Sequence, residues 1–191
     1  MPYTPPPELA SLSLTEIAEL AAAQKLPPVD QWAPENTGDS EMRIAADGIW
    51  YHQGSIIARP AMVRAFSTIL RKEKNGGYVL VTPFQKLAIE VEDAPFLAVE
   101  MEAEGSGKTR KLAFRLNTDH LVVADADHSL RFPGDRPQPY LHVRGGLEAK
   151  LSRPVYYELA EMALNEMNEA ENDEPFGLWS NGAFFPIEKP E

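Results

Sequence analysis

FLAVEMEAEGSGKTRKLAFRL, residues 96–116, holds the pattern on which the fold turns. Leu97, Val99 and Met101 alternate with Ala98, Glu100 and Glu102, and Leu112, Phe114 and Leu116 alternate with Ala113 and Arg115. A period of two is that of a half-buried strand. With a loop at Gly105–Lys108, Met101 faces Leu112, Val99 faces Phe114 and Leu97 faces Leu116, while Glu102 meets Lys111 on the wet side. One register satisfies both the apolar face and the charges, so the spacing predicts an antiparallel hairpin.

Further short strands follow at Leu121–Ala124, Leu130–Phe132, Tyr140–Arg144 and Leu147–Leu151, with turns at Asp125–His128, Pro133–Pro139 and Gly145-Gly146. Pro154 opens a helix whose inner face is Val155, Leu159, Met162 and Ala163. A polar stretch around Asn172 leads to a last hairpin, Gly177 to Ile187, turning at Asn181-Gly182.

Upstream, Ser13 and Glu16 form a capping box for a helix with Leu14, Ile17, Ala18 and Ala21 on one face, ended by Pro27 and Pro28. Residues 27–41 read as an extended loop anchored by Trp32. Met42 to Ala58 reads as a strand, a turn at Ala46-Asp47-Gly48 and a second strand with a bulge at Gly54. Pro60 opens a helix that buries Met62, Phe66, Ile69 and Leu70 and closes at Asn75-Gly76-Gly77. Tyr78–Val81 and Leu87–Glu92 complete this part as strands.

Arg59-Pro60 and Arg153-Pro154, ninety-four residues apart, each close a turn-containing strand pair and lead into an amphipathic helix. That order suggests two units of one plan. The expected fold class is therefore α+β, with two related strand-turn-strand-helix units. Residues 1–40 form an N-terminal helix and loop, 41–95 an α+β domain, and 96–191 a mostly antiparallel domain closed by a helix. The seam between the units is the natural pocket.

The formal net charge of −11 disfavours long nucleic acids and anionic membrane surfaces. The excess is uneven. Arg43, Arg59, Arg64, Arg71, Lys72 and Lys74 face only Asp47 and Glu73, whereas Glu158, Glu161, Glu166, Glu169, Glu171, Asp173 and Glu174 have no base among them. Cysteine is absent, which excludes disulfides, thiol catalysis and thiolate zinc sites. Met1–Pro7 has no signal-peptide pattern and no run nears the roughly 20 apolar residues of a membrane span. The expected location is the cytoplasm.

Gly105-Ser106-Gly107-Lys108-Thr109 imitates a P-loop, but Glu102 stands where its first glycine belongs, and a strand rather than a helix follows. His52, His120, His128 and His142 lack metal-ligand spacing, and Asp125-Ala126-Asp127 lacks the rest of a calcium loop. Ser55 has no nucleophile elbow around it. Glu90 and Glu92 fall on the solvent face of a strand beside the Asp93-Ala94-Pro95 turn. No catalytic residue, metal or cofactor is expected, and an enzyme ranks behind a binding or interaction protein. Arg59 and Arg153 fit either a grip on phosphate or carboxylate or a structural link to strand ends.

Ala46-Asp47-Gly48-Ile49-Trp50-Tyr51-His52-Gln53-Gly54-Ser55 resembles the signature of a proteobacterial family known as a domain of unknown function. So do Leu80-Val81-Thr82-Pro83, Glu92-Asp93-Ala94-Pro95-Phe96-Leu97 and Val143-Arg144-Gly145-Gly146-Leu147-Glu148-Ala149. With the Trp179 region, the likeness runs from about Val29 onward. It implies a duplicated core and a C-terminal half loosely like a pleckstrin-homology barrel; the strands read in residues 96–151, followed by a helix, agree with such a barrel but are one short of a full one. It also implies a nucleotide-like ligand at the domain seam and a role in signalling. On this basis His52, Arg59, Thr82 and Arg144 are expected ligand-binding residues, and the Arg-Pro helix start adds Arg153. The expected partner is a small phosphate-bearing molecule, with a protein partner for the acidic 158–174 face as the alternative.

Overall fold

The structure, a computed structural model, describes residues 9–134, 138–169 and 175–187. The Met1–Pro7 leader, the acids Glu171, Asp173 and Glu174, the stretch around Asn172 and the middle of the Pro133–Pro139 turn lie outside them. Helix α1 (Leu14–Ala23) begins with both halves of the predicted capping box, Ser13 and Glu16 serving each other's backbone N–H. Leu14 and Ile17 are buried.

The first sheet is assembled from β1 (Thr37–Ile44), β2 (Trp50–His52), β3 (Ser55–Ile56), β4 (Leu70–Lys72), β5 (Tyr78–Val81) and β6 (Lys86–Val91), in the order β3-β2-β1-β6-β5-β4. Helix α2 (Pro60–Thr68) joins β3 to β4 and has proline in its first turn, as the sequence predicts. The second sheet contains β7 (Phe96–Glu104), β8 (Lys111–Leu116), β9 (Leu121–Val123), β10 (Leu130–Arg131), β11 (Tyr140–Arg144) and β12 (Leu147–Leu151), in the order β10-β11-β12-β7-β8-β9. Helix α3 (Arg153–Glu169) follows and buries Val155, Leu159 and Ala163. The hairpin of β13 (Gly177–Ser180) and β14 (Ala183–Pro186) ends the described chain.

Read from one end, each sheet is the same object. Three strands meander outwards, three more meander back, and the sixth lies parallel beside the first: β6 on β1, and β12 on β7. Duplication is present, but not at the spacing suggested by the Arg-Pro pairs. Arg59-Pro60 follows a third strand and Arg153-Pro154 a sixth. Equivalent strands begin about sixty residues apart, Thr37 with Phe96 and Lys86 with Leu147. The two Arg-Pro steps look alike because proline suits any helix start.

The two sheets differ in how their edges are connected. Six flat strands place edge from edge at about 24 Å. Residues 57–69, including α2, make the journey in the first sheet. In the second, residues 124–129 must do so, and they contain a turn in which Asp125 N–H donates to His128 C=O at 3.2 Å. So folded, the link reaches only about 20 Å. The second sheet therefore curls into a half-barrel, bringing β9 towards β10 and β11.

The decisive hairpin is present, and the Gly105–Lys108 region is its connection and not a P-loop. Its register differs by two residues from the predicted one. Met101 pairs with Phe114 and Glu104 with Lys111, and a bulge between Ala98 and Glu100 turns the strand over. Beyond it Phe96 and Ala98 face the core, and Val99 is 39% exposed. A bulge exchanges faces, which simple alternation cannot anticipate.

Two further expectations change. The second strand of the Met42–Ala58 segment is split by a tight turn at Gln53-Gly54, both at positive φ, and Gly54 is no bulge. Helix α2 stops at Thr68, so Leu70 belongs to a strand and Asn75–Gly77 to the β4–β5 turn, while Met62 is 40% exposed. Arg71 explains part of this. Its guanidinium donates to the carbonyls of Val29 and Trp32 at 2.8 and 2.7 Å and pairs with Glu73, holding β4 against the 29–32 turn.

One hydrophobic cluster runs through both units, from Ile44, Trp50 and Leu80 to Phe96, Phe114, Leu141, Leu159 and Phe185. Ser180, fully buried, joins the last hairpin to it. Its hydroxyl accepts from Leu112 N–H at 2.9 Å and donates to Ala124 C=O at 2.7 Å, standing between two strand ends. Ser180→Ala leaves both groups unpaired and should cost about 1–3 kcal/mol, read as a fall in melting temperature of about 2–4 °C per kcal/mol. An unchanged melting curve would refute the bridging role.

Candidate functional site

Polar bridges cross the seam between the units beside the shared hydrophobic cluster. Asp93, at the link from β6 to β7, accepts from Tyr140 Oη at 2.7 Å and from Lys150 Nζ at 2.9 Å. Lys150 also donates to Ala46 C=O at 2.7 Å. Asn117 donates to Gly48 C=O at 3.3 Å and accepts from Leu97 N–H. Gly48 sits at φ +85°, and a Cβ there would stand 2.9 Å from Asn117 Nδ2, so the turn needs glycine twice over. Glu92 pairs with Arg43 and accepts from Ala46 N–H at 2.9 Å.

On another side of the seam, α1, α2 and the β8–β9 turn border an open cavity of about 410 Å³. The turn is a three-residue loop in which Asp119 N–H donates to Leu116 C=O and Asp119 takes φ +64°, a conformation aspartate tolerates. It delivers Thr118, Asp119 and His120 to the cavity, facing Arg64 and Thr68 of α2 and Leu20, Gln24 and Lys25 from the end of α1. Arg64 and Asp119 meet at 3.4 Å, joining the two units.

His120 is the notable side chain. Its Nδ1 shares a hydrogen bond with Thr118 Oγ1 at 2.9 Å, and its ring stands edge-on to Phe96. Burial, then the Arg144 charge, push it down to about 4. It is neutral at physiological pH, so it can donate or accept a hydrogen bond in the cavity without adding charge. Arg144 lies behind it, donating to Ser67 C=O at the end of α2 at 2.7 Å, with its guanidinium 5.4 Å from the Phe96 ring centre. A cation suits a helix C-terminus, which offsets the burial that works against its charge.

A second cavity of about 550 Å³ lies between α1 and the outer edge of β9. His120, Gln24 and Leu121 line both cavities, and Val143 and Arg144 reach the second across the gap of the half-barrel. Of the five residues expected to bind ligand, Arg144 is the one that borders these cavities. His52, at the end of β2, and Arg59 and Arg153, at the starts of α2 and α3, are exposed. Thr82 is spent locally, its hydroxyl accepting from the N–H groups of Phe84 and Gln85. His120 carries no motif, and only a turn between two strands marks it in the sequence.

The remaining candidates resolve into structural roles. Asp125 accepts from the N–H groups of Asp127 and His128 and from the His128 ring, so the Asp125–His128 segment is a turn. His142 accepts from Gly146 N–H through Nε2, which leaves Nδ1 to donate to Asp127 C=O at 2.8 Å. Among the described residues no group of three or more acidic or histidine side chains could hold a metal ion. Glu166, expected on an open acidic face, pairs with the buried Arg110 at 2.5 Å and accepts from Gly107 N–H. The basic 43–74 segment is also largely committed: Arg43 to Glu92, Arg64 to Asp119, Arg71 to Glu73, and Lys72 over the Tyr78 ring.

Residues 27–94 match the family model described as the N-terminal domain of DUF1285, a domain of unknown function, and residues 95–187 match the model for its C-terminal domain. The chain belongs to the DUF1285 family. A crystal structure of a DUF1285 family protein from Silicibacter pomeroyi DSS-3 is 42% identical, with a TM-score of 0.76, over 90% of this chain and 93% of that one. One from Shewanella baltica OS155 is 26% identical, with a TM-score of 0.50, over 68% of this chain and 92% of the other. No curated protein matches. The boundary between the two DUF1285 models falls at the link from the first sheet to the second, beside the Asp93 bridge.

His120 gives this DUF1285 chain an acid-sensitive seam. Unfolded, the ring binds its proton near pH 6.5; folded, only near pH 4. Between those values the unfolded state holds more protons, so stability is complete above about pH 6.5 and declines as pH falls towards 4. The loss is at most about 3 kcal/mol. Urea unfolding at pH 7 and pH 4.5 should show a smaller difference in His120→Gln than in the parent chain. Equal differences would exclude a buried neutral histidine.

Proposed function

We propose that this DUF1285 protein is a cytoplasmic, non-catalytic sensor or regulatory protein that binds a small phosphate-bearing, nucleotide-like ligand between its two units, acting in signal transduction. The observation that carries the reading is the meeting of Lys25, Arg64 and His120, from the segment just after α1, from α2 and from the β8–β9 turn, around one cavity of about 410 Å³. That volume lies within the usual range for small-molecule sites, about 300–1,000 Å³. Two cations stand there against one carboxylate, Asp119, in a chain of net charge −11. A phosphate would compete with Asp119 for the Arg64 guanidinium. The pleckstrin-homology likeness of the second unit is part of the same reading, supported by a curled, mostly antiparallel sheet followed by α3.

Thermal unfolding against inorganic phosphate and a panel of nucleoside mono-, di- and triphosphates tests the proposal. A true ligand at about a hundred times its Kd adds roughly 2.7 kcal/mol of stability. Arg64→Met and Lys25→Met should abolish that gain, while Arg59→Met and Arg153→Met separate the cavity from the two helix starts. No stabilisation at millimolar concentrations across the panel defeats the reading.

A second reading, a protein-interaction adaptor, draws on α3. Burial, then Glu102 and Glu161, raise the carboxyl of Glu158 above the usual range, so three acids crowd one surface. Tyr157, 65% exposed, and Leu164 stand beside them. A synthetic amphipathic peptide of alternating lysine and leucine should bind there, weaken steeply with added salt and fail against Glu158→Lys/Glu161→Lys. Binding indifferent to salt and to both substitutions would dismiss this adaptor.

A further inference from the structure

The outer edge of β9 is half covered. Leu116 N–H donates to His120 C=O and Ala124 N–H to Leu112 C=O, so the even-numbered residues of this strand turn their backbone groups towards β8. Leu121 and Val123 therefore turn theirs outwards. At Leu121 the place of a neighbouring strand is already taken. Gln24 Oε1 accepts from Leu121 N–H at 2.8 Å, and Gln24 Nε2 donates to Leu121 C=O at 3.0 Å. A carboxamide has the donor and acceptor of a peptide group, so this side chain imitates one residue of an added strand.

Val123 has no such cover. Its outward N–H and C=O have no protein partner among the described residues, and they face the cavity of about 550 Å³. Ala18 and Ala22 of α1 wall that cavity on one side, small residues that leave room beside the strand. Val143 and Arg144 wall the other, where the half-barrel stays open. Of the charged groups that border it, Asp125 is committed to its own turn and to His128 and Arg144 to the Ser67 carbonyl, which leaves Lys111 as the exposed cation at the Asp125 end.

We propose that this gap is a peptide-docking groove, in which an extended segment carrying an acidic side chain adds a short strand to β9, pairing with Val123 and placing its carboxylate near Lys111. The Gln24 amide supplies the template for backbone pairing, and Lys111 favours acidic over basic segments. This does not depend on the small-ligand reading, which concerns the neighbouring cavity at Arg64.

A phage-displayed random heptapeptide library, selected against the full chain, provides the probe. Enriched peptides should carry Asp or Glu, bind with an affinity that falls as salt rises, and slow amide exchange at Val123 at least about tenfold. Val123→Pro removes the outward N–H while sparing the β8 ladder, since proline is accepted where the N–H points off a sheet edge. It should weaken binding at least about tenfold, and Lys111→Glu should weaken it also. Should Val123→Pro fail to fold, enriched peptides with alternate backbone amides methylated make the same test from the other side. The proposal falls on any of three results: no enrichment above an unrelated protein, binding indifferent to folded Val123→Pro or to amide methylation, or self-association through β9 in place of peptide binding.

Discussion

In each sheet the sixth strand lies beside the first and runs the same way, and that parallel pair dictates the rest. Parallel neighbours cannot be joined by a tight turn, so the chain must leave and return. Here the excursion is four strands long. It forces one link in each unit to pass from edge to edge of its own sheet, and the length of that link decides the unit's shape. A link that includes α2 leaves the first sheet open, whereas the short 124–129 link requires the second to curl. The cavity beside β9 is the space left because curling stops short of closure.

This explains which features were legible in the sequence. Local signals were readable wherever one residue determines one conformation: the Ser13–Glu16 box, Pro60 at a helix start, the short strands Tyr78–Val81, Tyr140–Arg144 and Leu147–Leu151, and the Asn181-Gly182 turn. The errors arose where tertiary packing overrode local preference. Leu70 continues an apolar helical stripe, but pairing with Leu80 recruits it to a strand. Val99 fits an alternating pattern, but the bulge puts it outside. The repeat was visible as an idea, though at the wrong interval, because Arg-Pro marks helix starts and not equivalent strands.

The site was less legible than the fold. Clustered charge in a sequence invites a functional reading, yet Arg43, Arg71 and Glu166 are consumed by partners 49, 2 and 56 positions away. Such partners cannot be inferred from composition. Arg144, an expected ligand residue, does border the larger cavity, but partly for a structural reason: its guanidinium serves the Ser67 carbonyl at the end of α2. Nothing in the sequence sets His120 apart from the other histidines, because its significance is entirely positional. It acquires its properties from burial beside Arg144 and Phe96, neither of which is adjacent in the chain.

The choice of polar groups at the seam has a physical logic. A purely apolar contact between the two units would be indifferent to register, because burial is non-directional. The bridges of Asp93, Asn117 and Arg144 instead demand particular partners, and each loses heavily if the units slide, since an unpaired buried group costs more than a bond contributes. The hydrophobic cluster holds the units together, and these hydrogen bonds fix how they meet. Only with that geometry fixed can Lys25, Arg64 and His120, drawn from three separate elements, share one cavity.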